Sequence, residues 1–547
     1  INGNWISGIK FFDEMRLGPQ ENIPERFKNN TARNKYFMIP FLFGIIGMIF
    51  HFKKDKRNFL IAFLLFFLTG IAIVIYLNEV PNTPRERDYV FVGSFYAFSI
   101  WIGLSALAII DTLKQKKRYV NVVVLLVMFF LLPINLISEN WDDHDRSGRY
   151  TARDFSFNLL NSCEKNAILF TSADNDSYPL WYSQEVERYR RDVRTVLTEF
   201  LPVDWYIHQL SNNYPEMGNI PISFEDKDFL NGKRLYFPVL ERIKDYVDFN
   251  EIVDFVRSDN SRTKLTNYDT SKIDYIPSRK FKISVNKKNF IKSCTSFKYN
   301  NDDIPEEIYL DIKGNNLMRN DLLIMDIILK NDWKRSIYFI HKRDIAKLGL
   351  DKYVYQEGLV YRLLPFNKDS LEETNSISNS DYQYNKLMAE FNWGGVNDPN
   401  VMLNWTNVRV VSSMRMREHF SSAARSLIMD GEKQKAIALL DKCMVLFPKE
   451  KVAYGFGVPE IIEAYYLAGE NEKAIELFDD FMTDIVSELG YYKSFEDRLL
   501  PGVSNAIKIN IYYLQLLERI KIIKGHHENE ALNKLQEYYG YFYVVLS

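Results

Sequence analysis

The sequence predicts a membrane protein of mixed architecture, with about four transmembrane helices, a soluble α/β domain and a C-terminal α-solenoid of tetratricopeptide-like repeats. Three observations carry this prediction. Four apolar stretches precede residue 138. Segments with the sequence patterns of strands and helices alternate from residue 167, and a ten-residue pattern recurs after residue 430. The mean hydropathy of −0.23 conceals this division, because it averages the apolar stretches with a charged remainder.

The composition argues against nucleic-acid binding and against a zinc site or a disulfide framework. With 69 basic and 71 acidic residues the net charge is −2, so no overall field favours nucleic acid and we expect no nucleic-acid partner. The three cysteines, Cys163, Cys294 and Cys443, are odd in number and widely spaced, which fits neither a zinc site nor a disulfide framework. We therefore expect no metal centre built on cysteine.

The four apolar stretches are each close to the roughly 20 residues that cross the hydrocarbon core of a bilayer. None contains Asp, Glu, Lys or Arg, which is rare for buried helices of soluble proteins, and they cover residues 36–52, 59–77, 90–110 and 119–137. Segments 53–57 and 114–118 each carry four basic residues beside the lipid, so the positive-inside rule places them in the cytoplasm. The remaining loops and the large C-terminal part then lie on the other side.

This topology gives a domain plan for the chain. In a Gram-negative bacterium it describes a multi-pass protein of the inner membrane with a large periplasmic part. The predicted units are an outer segment at 1–35, a transmembrane region at 36–137, an α/β domain at 138–366, a polar linker at 367–385 and a helical repeat domain at 386–547.

The outer loop between the second and third spans ends in a cluster of charges, Arg85, Glu86, Arg87 and Asp88. One interpretation is a salt-bridged turn that anchors the helix end at the membrane interface. The other is that Arg85 or Arg87 binds the phosphate of a lipid-linked substrate, because a guanidinium group matches phosphate oxygens with two parallel hydrogen bonds. Glu86 and Asp88 would then support the two arginines.

The first part of the α/β domain, residues 167–210, has the sequence pattern of a strand, a helix, a second strand and a second helix. This order predicts a small parallel sheet. Asp174 and Asp176 follow the first strand, at the sheet edge where α/β folds bind ligands. With the residue between them they form a D-x-D triplet. In one class of glycosyltransferase such a triplet binds Mn²⁺ or Mg²⁺ with a nucleotide-sugar, so Asp174 and Asp176 are a candidate ligand site. The alternative is that Asp176 or Ser177 caps the next helix.

The pattern in the last third of the chain is helical and repeats. "GEKQKAIALL" at 431–440 returns as "GENEKAIELF" at 469–478, an offset of 38 residues. Turn glycines and matching Lys-Ala pairs resemble tetratricopeptide repeats of about 34 residues. Because helical solenoids present a concave surface, this part predicts a protein partner on the repeats. An unrelated pair of helix hairpins is the alternative.

Several stretches together resemble a family of multi-pass membrane proteins typical of Bacteroidota, grouped with the C-type glycosyltransferases and related to eukaryotic protein O-mannosyltransferases. They include "PNTPRERDYVFVGSFYAFSIWIGL" and "ILFTSADNDSYPLWYSQEVE". The resembling segments lie in order along nearly the whole chain, at 2–9, 81–104, 140–155, 168–187 and 309–327.

The resemblance implies an enzyme that moves a sugar, mannose in the eukaryotic relatives, from a polyprenyl-phosphate donor to Ser or Thr of exported proteins. It implies membrane lipid, the lipid-linked sugar and exported acceptor proteins as partners. The family's catalytic carboxylate lies in an early outer loop, which we expect upstream of residue 1, so we assign no catalytic residue here. The alternative function is a membrane-tethered scaffold whose helical repeats bind envelope or exported proteins.

Overall fold

The protein's computed structural model describes residues 5–30, 33–78, 88–113, 118–212, 216, 218–229, 233–266, 272–370, 377–403, 415–520 and 526–546. These residues form an apolar helical part, a mixed α/β region and a set of C-terminal helices, and helix is the main type of secondary structure. This confirms the predicted combination of apolar helices with an α/β region.

The N-terminal segment is a small ordered unit. Strand β1 (Trp5–Ile6) pairs in parallel with β2 (Asn34–Lys35), and helices α1 (Lys10–Leu17) and α2 (Glu25–Lys28) lie between them. The buried carboxylate of Asp13 accepts the backbone N–H groups of Ser7 and Gly8 at 2.7 and 3.0 Å, which fixes the turn before α1.

Three helices, against four predicted, are long and apolar enough to cross a bilayer, as judged over the described residues. They are Lys56–Leu77, Tyr89–Leu113 and Arg118–Asp142. The first consists of α4 (Lys56–Leu68) and α5 (Ile71–Leu77), and the second contains α6 (Val92–Leu113). The third joins α7 (Arg118–Phe129) and α8 (Asn135–His144) through one π-helical turn that contains Pro133.

The first predicted span, 36–52, forms a shorter helix than the other three. Helix α3 (Ile39–Lys54) has 16 residues, because Met38 adopts a left-handed φ of 55° before it and Asp55 ends it and caps α4. Gly44 and Gly47 are buried against Phe98 and Trp101 of α6, where an added Cβ would collide with the facing helix. These glycines let the two helix backbones approach closely, as small residues do between membrane helices.

The α/β region confirms the predicted alternation. Helix α9 (Thr151–Asn161) leads into β3 (Ile168–Thr171), α10 (Ala173–Glu185), β4 (Arg194–Leu197) and α11 (Asp204–Ser211). Strands β4 and β3 pair in parallel, and β3 pairs in parallel with β13 (Ile337–Phe339). The hairpin of β14 (Val354–Glu357) and β15 (Val360–Leu363) adds two antiparallel strands, so the sheet has five strands in the order β14-β15-β13-β3-β4.

The two faces of this sheet pack against two different cores, which explains why all four residues of the central strand β3 are buried. Ile168 and Phe170 of β3 pack on one face, whereas Leu169 packs on the other, as the two-residue period of a strand requires. The first face also contacts α15 (Arg319–Asn331), which is buried along most of its length.

Smaller sheets and helices complete the α/β region. Its other helices are α12 (Asp226–Phe229), α13 (Phe249–Arg257), α14 (Lys287–Ser293) and α16 (Arg343–Ala346). Its other strands are β5 (Tyr236–Ile243), β6 (Val247–Asp248), β7 (Lys264–Thr266), β8 (Lys272–Asp274), β9 (Ile276–Ser278), β10 (Lys280–Ser284), β11 (Glu307–Asp311) and β12 (Asn316–Met318). They form sheets β12-β5-β9, β11-β10-β6 and β7-β8.

The C-terminal part consists of helices, and the internal repeat marks equivalent places in two of its helix pairs. Gly431 and Gly469 both have a positive φ, and each stands two residues before the second helix of its pair. The second of these helices has 23 residues against 14 in the first, so the two copies differ in length and a tetratricopeptide solenoid remains a prediction. The helices are α17 (Ser380–Asn385), α18 (Met416–Met429), α19 (Lys433–Leu446), α20 (Val458–Ala468), α21 (Asn471–Lys493), α22 (Ser504–Arg519), α23 (His526–Tyr541) and α24 (Tyr543–Leu546).

These helices share a core with the sheet. Leu169 and Tyr338 on the second face of the sheet belong to the same buried cluster as Phe420 of α18. The N-terminal segment also joins this part, because Arg26 of α2 lies 2.6 Å from Glu488 of α21 and Tyr491 donates to the Pro19 carbonyl at 3.0 Å. The N-terminal segment and helix α21 are therefore held together.

Candidate functional site

The carboxyl ends of the three parallel strands bring a set of polar side chains to one edge of the sheet. The in-register pairing of β3 with β4 and with β13 places these ends side by side. The first helical turn of α10 follows β3, Thr198 and Glu199 follow β4, and the segment from His341 follows β13. Ligands of open α/β sheets bind at this edge, so it is the candidate site.

The central contact of the site joins the ends of β3 and β13. Nε2 of His341 lies 2.9 Å from Oδ2 of Asp176, and their side chains are only 21% and 10% exposed. A carboxylate in this position fixes the orientation of the imidazole ring, as it does in catalytic acid–base pairs and in metal-bound histidines. The Nδ1 atom of the oriented ring could then exchange a proton with a bound hydroxyl group.

Side chains also connect the strand ends to one another. The hydroxyls of Thr171 and Ser177 lie 2.6 Å apart, and Thr198 donates to the carbonyl of Thr171 at 3.0 Å. Ala173 has a φ of 60°, an unusual value for a residue with a side chain, and its N–H donates to Glu199 at 2.9 Å. Ser172 donates to Asp344 after β13. These hydrogen bonds therefore hold the segments that follow the three parallel strands in fixed positions relative to one another.

The two aspartates predicted as a ligand pair have different surroundings. Both lie in the first turn of α10, but Asp174 is exposed and Asp176 is buried against His341. Residues two apart on a helix point in different directions, so the pair does not converge on one ligand. Within the described ranges no three His, Cys, Asp or Glu side chains are placed to hold a metal ion.

The capping alternative for this segment is wrong. The helix begins at Ala173, earlier than the sequence suggested, so Asp176 and Ser177 lie inside its first turns. The residue at its N-cap is Ser172, whose side chain makes no capping hydrogen bond. Asp176 and Ser177 instead bind His341 and Thr171, which gives them a role in the sheet edge.

Helix α18 places two titratable residues near the same edge. Burial raises the pKa of the half-buried Glu418 carboxyl, with Arg415 acting against that shift. Burial, and then the positive charges of Lys342 and His341, lower the pKa of His419 to about 3. The Nδ1 atom of His419 makes no hydrogen bond in the part of the chain that the structure describes. Shifted pKa values of this kind are a feature of functional sites.

Lys342 connects the sheet edge with the residues of α18. It follows His341, and its ammonium group lies 4.5 Å from the centre of the Tyr361 ring. The Tyr361 ring in turn lies 5.8 Å from His419, so the polar edge and the buried histidine are neighbours. Burial raises the pKa of Tyr361 to about 12, which keeps its hydroxyl neutral at physiological pH.

The region with these properties matches a known family model. Residues 152–381 match TMEM260-associated domain 2. The match begins in α9, contains all five strands of the main sheet and ends in α17, so Asp176 and His341 lie inside it and His419 lies beyond it. No curated protein and no solved structure shows significant similarity to the chain.

The charged loop predicted as a phosphate site lies outside the described residues. Arg85, Glu86 and Arg87 belong to a segment that the structure does not describe, and only the backbone of Asp88 is included, at the start of the turn Asp88–Phe91 before α6. Their proposed role remains a prediction from the sequence.

The sequence analysis missed His341 and Glu199, which complete the edge. His341 had a signal, because it ends the strand-like segment "SIYFIH", and the strand-end rule applied there would have selected it. Glu199 had none, because it lay inside the second predicted strand, "VRTVLTEFL", whereas the observed strand β4 ends earlier, at Leu197. Glu418 and His419 had no such signal, since only the packing of α18 brings them to the sheet.

A second concave region lies at the opposite edge of the sheet and has a different character. It is a cleft of about 600 Å³ whose lining includes Glu164, Arg190 and Asp192. Arg190 pairs with Asp192 at 2.8 Å, and Glu164 lies 3.3 Å from the buried Arg362. Because these charges are already neutralised by protein groups, the carboxyl edge is the stronger candidate.

Proposed function

We propose that this chain belongs to a polytopic membrane glycosyltransferase that moves a sugar from a polyprenyl-phosphate donor to Ser or Thr of exported proteins. The observation that carries the proposal is the match of residues 152–381 to a domain associated with TMEM260, a protein O-mannosyltransferase-like protein, in a chain with three apolar helices of spanning length. Mannose is the sugar that this relationship favours.

The chemistry of sugar transfer requires two kinds of side chain. A C-type transferase needs a carboxylate to orient or deprotonate the acceptor hydroxyl, and cations to stabilise the departing phosphate. Arg85 and Arg87 supply the cationic part at the outer mouth of the third span. The α/β region supplies the rigid edge around Asp176 and His341 outside the membrane.

The proposal places the N-terminal segment and the large C-terminal part in the periplasm. The contact between Arg26 and Glu488 supports one shared side for both segments, because two groups 2.6 Å apart must lie on the same side of a membrane. The assignment of that side to the periplasm rests on the basic segments 53–57 and 114–118. The number of crossings between them is then even. Helix α3, although only 16 residues long, would serve as the fourth span beside the three longer ones.

The test is complementation in cells that lack the gene. Wild-type protein should restore glycosylation of periplasmic proteins, and Arg85→Ala with Arg87→Ala should fail to do so at an equal protein level. Arg→Lys at the phosphate-binding position should reduce transfer by about 10- to 100-fold, because the charge remains but the paired hydrogen bonds are lost. Normal glycosylation in the double alanine variant would reject the phosphate role and leave the interfacial anchor.

The second candidate function is a membrane-tethered scaffold. The paired helices α18 to α21 favour it, because stacked helix pairs offer broad surfaces to protein partners. If the chain acts as a scaffold, the Arg85 and Arg87 variants should restore glycosylation as the wild type does. Variants with changed surface residues on these helices should fail to restore it. The complementation assay therefore separates the two functions.

A further inference from the structure

Four aromatic rings form a continuous row beside the carboxyl edge of the sheet. The ring of Tyr178 lies 5.4 Å from that of Trp181, which lies 6.4 Å from Phe200, which in turn lies 5.9 Å from Trp205. Helix α10 supplies the first two rings and the segment after β4 supplies the others. The row therefore crosses the ends of two parallel strands.

The row faces solvent at both ends. Tyr178 is 53% exposed and Trp205 is 58% exposed, while Trp181 and Phe200 between them are partly buried against the sheet core. Exposed apolar surface costs about 25 cal/mol per Å² relative to burial, so a ligand that covers the exposed rings of Tyr178 and Trp205 would gain free energy from their burial. Contiguous patches of this kind mark binding surfaces.

Carboxylates border the row. Asp174 lies one helical turn before Tyr178 on the same face of α10, and Glu199 directly precedes Phe200; both are exposed. Glu199 accepts the Ala173 N–H at 2.9 Å, which fixes the position of its carboxylate. A carboxylate accepts about four hydrogen bonds, so both groups keep acceptor capacity for hydroxyl donors.

We propose that the aromatic row formed by Tyr178, Trp181, Phe200 and Trp205 binds a neutral saccharide, with Asp174 and Glu199 accepting hydrogen bonds from its hydroxyl groups. A sugar ring has an apolar face of C–H groups and a rim of hydroxyl donors, which matches aromatic faces bordered by acceptors. A phosphorylated ligand or an anionic lipid surface fits less well, because carboxylates repel it and such surfaces attract basic residues.

This inference goes beyond the proposed transfer reaction. That reaction uses a sugar attached to a membrane lipid, whereas the aromatic row belongs to the α/β region outside the membrane and would hold a soluble glycan chain. Saccharide binding and sugar transfer are separate measurements, so either can fail while the other stands.

The test is isothermal titration of the full chain in phosphatidylcholine nanodiscs with mannohexaose, maltohexaose and chitohexaose. We expect at least one of them to bind, and Trp205→Ala to weaken that binding by about tenfold through loss of the ring face. Trp205→Phe, which keeps an aromatic face, should bind within about threefold of the wild type. Tyr309→Ala is the matched control, since Tyr309 is 42% exposed, lies on β11 and should leave binding unchanged.

Two results would overturn the proposal. The first is the absence of binding to all three saccharides up to about 10 mM, tenfold above a Kd of about 1 mM, in protein whose circular dichroism melt shows that it is folded. The second is binding to phosphatidylglycerol vesicles that depends on Trp205 while saccharide binding does not. That outcome would make the row a membrane contact.

Discussion

The imidazole of His341 and the carboxylate of Asp176 connect the ends of two parallel strands at 2.9 Å, although 165 residues separate them in sequence. Both side chains are mostly buried, so their interaction is shielded from water. This contact ties together the two halves of the candidate site.

The Asp176–His341 pair should show measurable coupling. In a double-mutant cycle with Asp176→Ala and His341→Ala, we expect a coupling free energy of about 1–2 kcal/mol, typical of a shielded hydrogen bond to a charged group. Urea unfolding of the full chain in detergent, followed by tryptophan fluorescence, measures it. Lys298 and Asp381, 3.2 Å apart but 79% and 52% exposed, form the control pair and should couple by less than about 0.5 kcal/mol.

The contact between Arg26 and Glu488 should stabilise the protein. Glu488 is only 5% exposed, so Arg26→Ala would leave a buried carboxylate with less compensation and cost about 2 kcal/mol of unfolding free energy. The control is Lys493→Ala on the same helix, whose partner Glu537 lies at 3.2 Å and whose side chain is 40% exposed. Equal effects of the two changes in urea unfolding would contradict a special role for Arg26.

Membrane topology can be measured with single introduced cysteines, because the native Cys163, Cys294 and Cys443 are buried. Glu21→Cys and Met429→Cys stand at exposed positions of the N-terminal segment and of α18, and both should react with a membrane-impermeant maleimide in spheroplasts. Lys54→Cys, at the last residue of α3, should react only after permeabilisation. Labelling of Lys54→Cys in intact spheroplasts would reverse the proposed orientation.

The buried imidazole of His419 should make the protein sensitive to acid. Its pKa falls from 6.5 to about 3 on folding, so between these values the unfolded chain binds a proton that the folded protein does not. Stability is therefore lost as pH falls below 6.5, by about 2–3 kcal/mol at pH 4.5 from this group. His419→Gln should remove that part of the pH dependence in urea unfolding measured from pH 7.5 to 4.5. An unchanged slope would show that His419 is protonated in the folded state.

Asp326 should act in the opposite direction. Burial in α15 raises its pKa from 3.8 to about 6, so its neutral form is favoured in the folded protein and stability is lost as pH rises through 6. Asp326→Asn should therefore gain about 2–3 kcal/mol relative to the wild type between pH 4 and pH 7.5. Ser223→Ala, which removes the hydroxyl that binds this carboxylate, is the companion variant and should raise that pKa further. A constant difference between Asp326→Asn and wild type would refute the assignment.

The sequence was most informative where local pattern decides structure. The alternation between residues 167 and 210 predicted two strands and two helices correctly, because β3 is a short apolar run, β4 contains the β-branched Thr195 and Val196, and α10 and α11, which follow the two strands, carry polar residues. The apolar stretches were equally clear, except at α3. There the left-handed conformation of Met38 delays the start of the helix to Ile39, and a backbone conformation of this kind is not visible in hydropathy.

Non-local packing accounts for what the sequence missed. The pairing of β13 with β3 brings His341 to Asp176, and the packing of α18 brings His419 to Tyr361. Both contacts join segments far apart in the chain, and a single sequence contains no signal for such pairings. The position of Asp176 after a strand was visible, but its partner was not.

The shared core of the sheet and α18 has a mechanical consequence. Leu169, Tyr338 and Phe420 pack into one close-packed cluster, which resists shear and transmits displacement with little loss. A protein that pulls on the C-terminal helices would therefore load β3 and β13 through this packing, and the force would reach the strand ends beside Asp176 and His341.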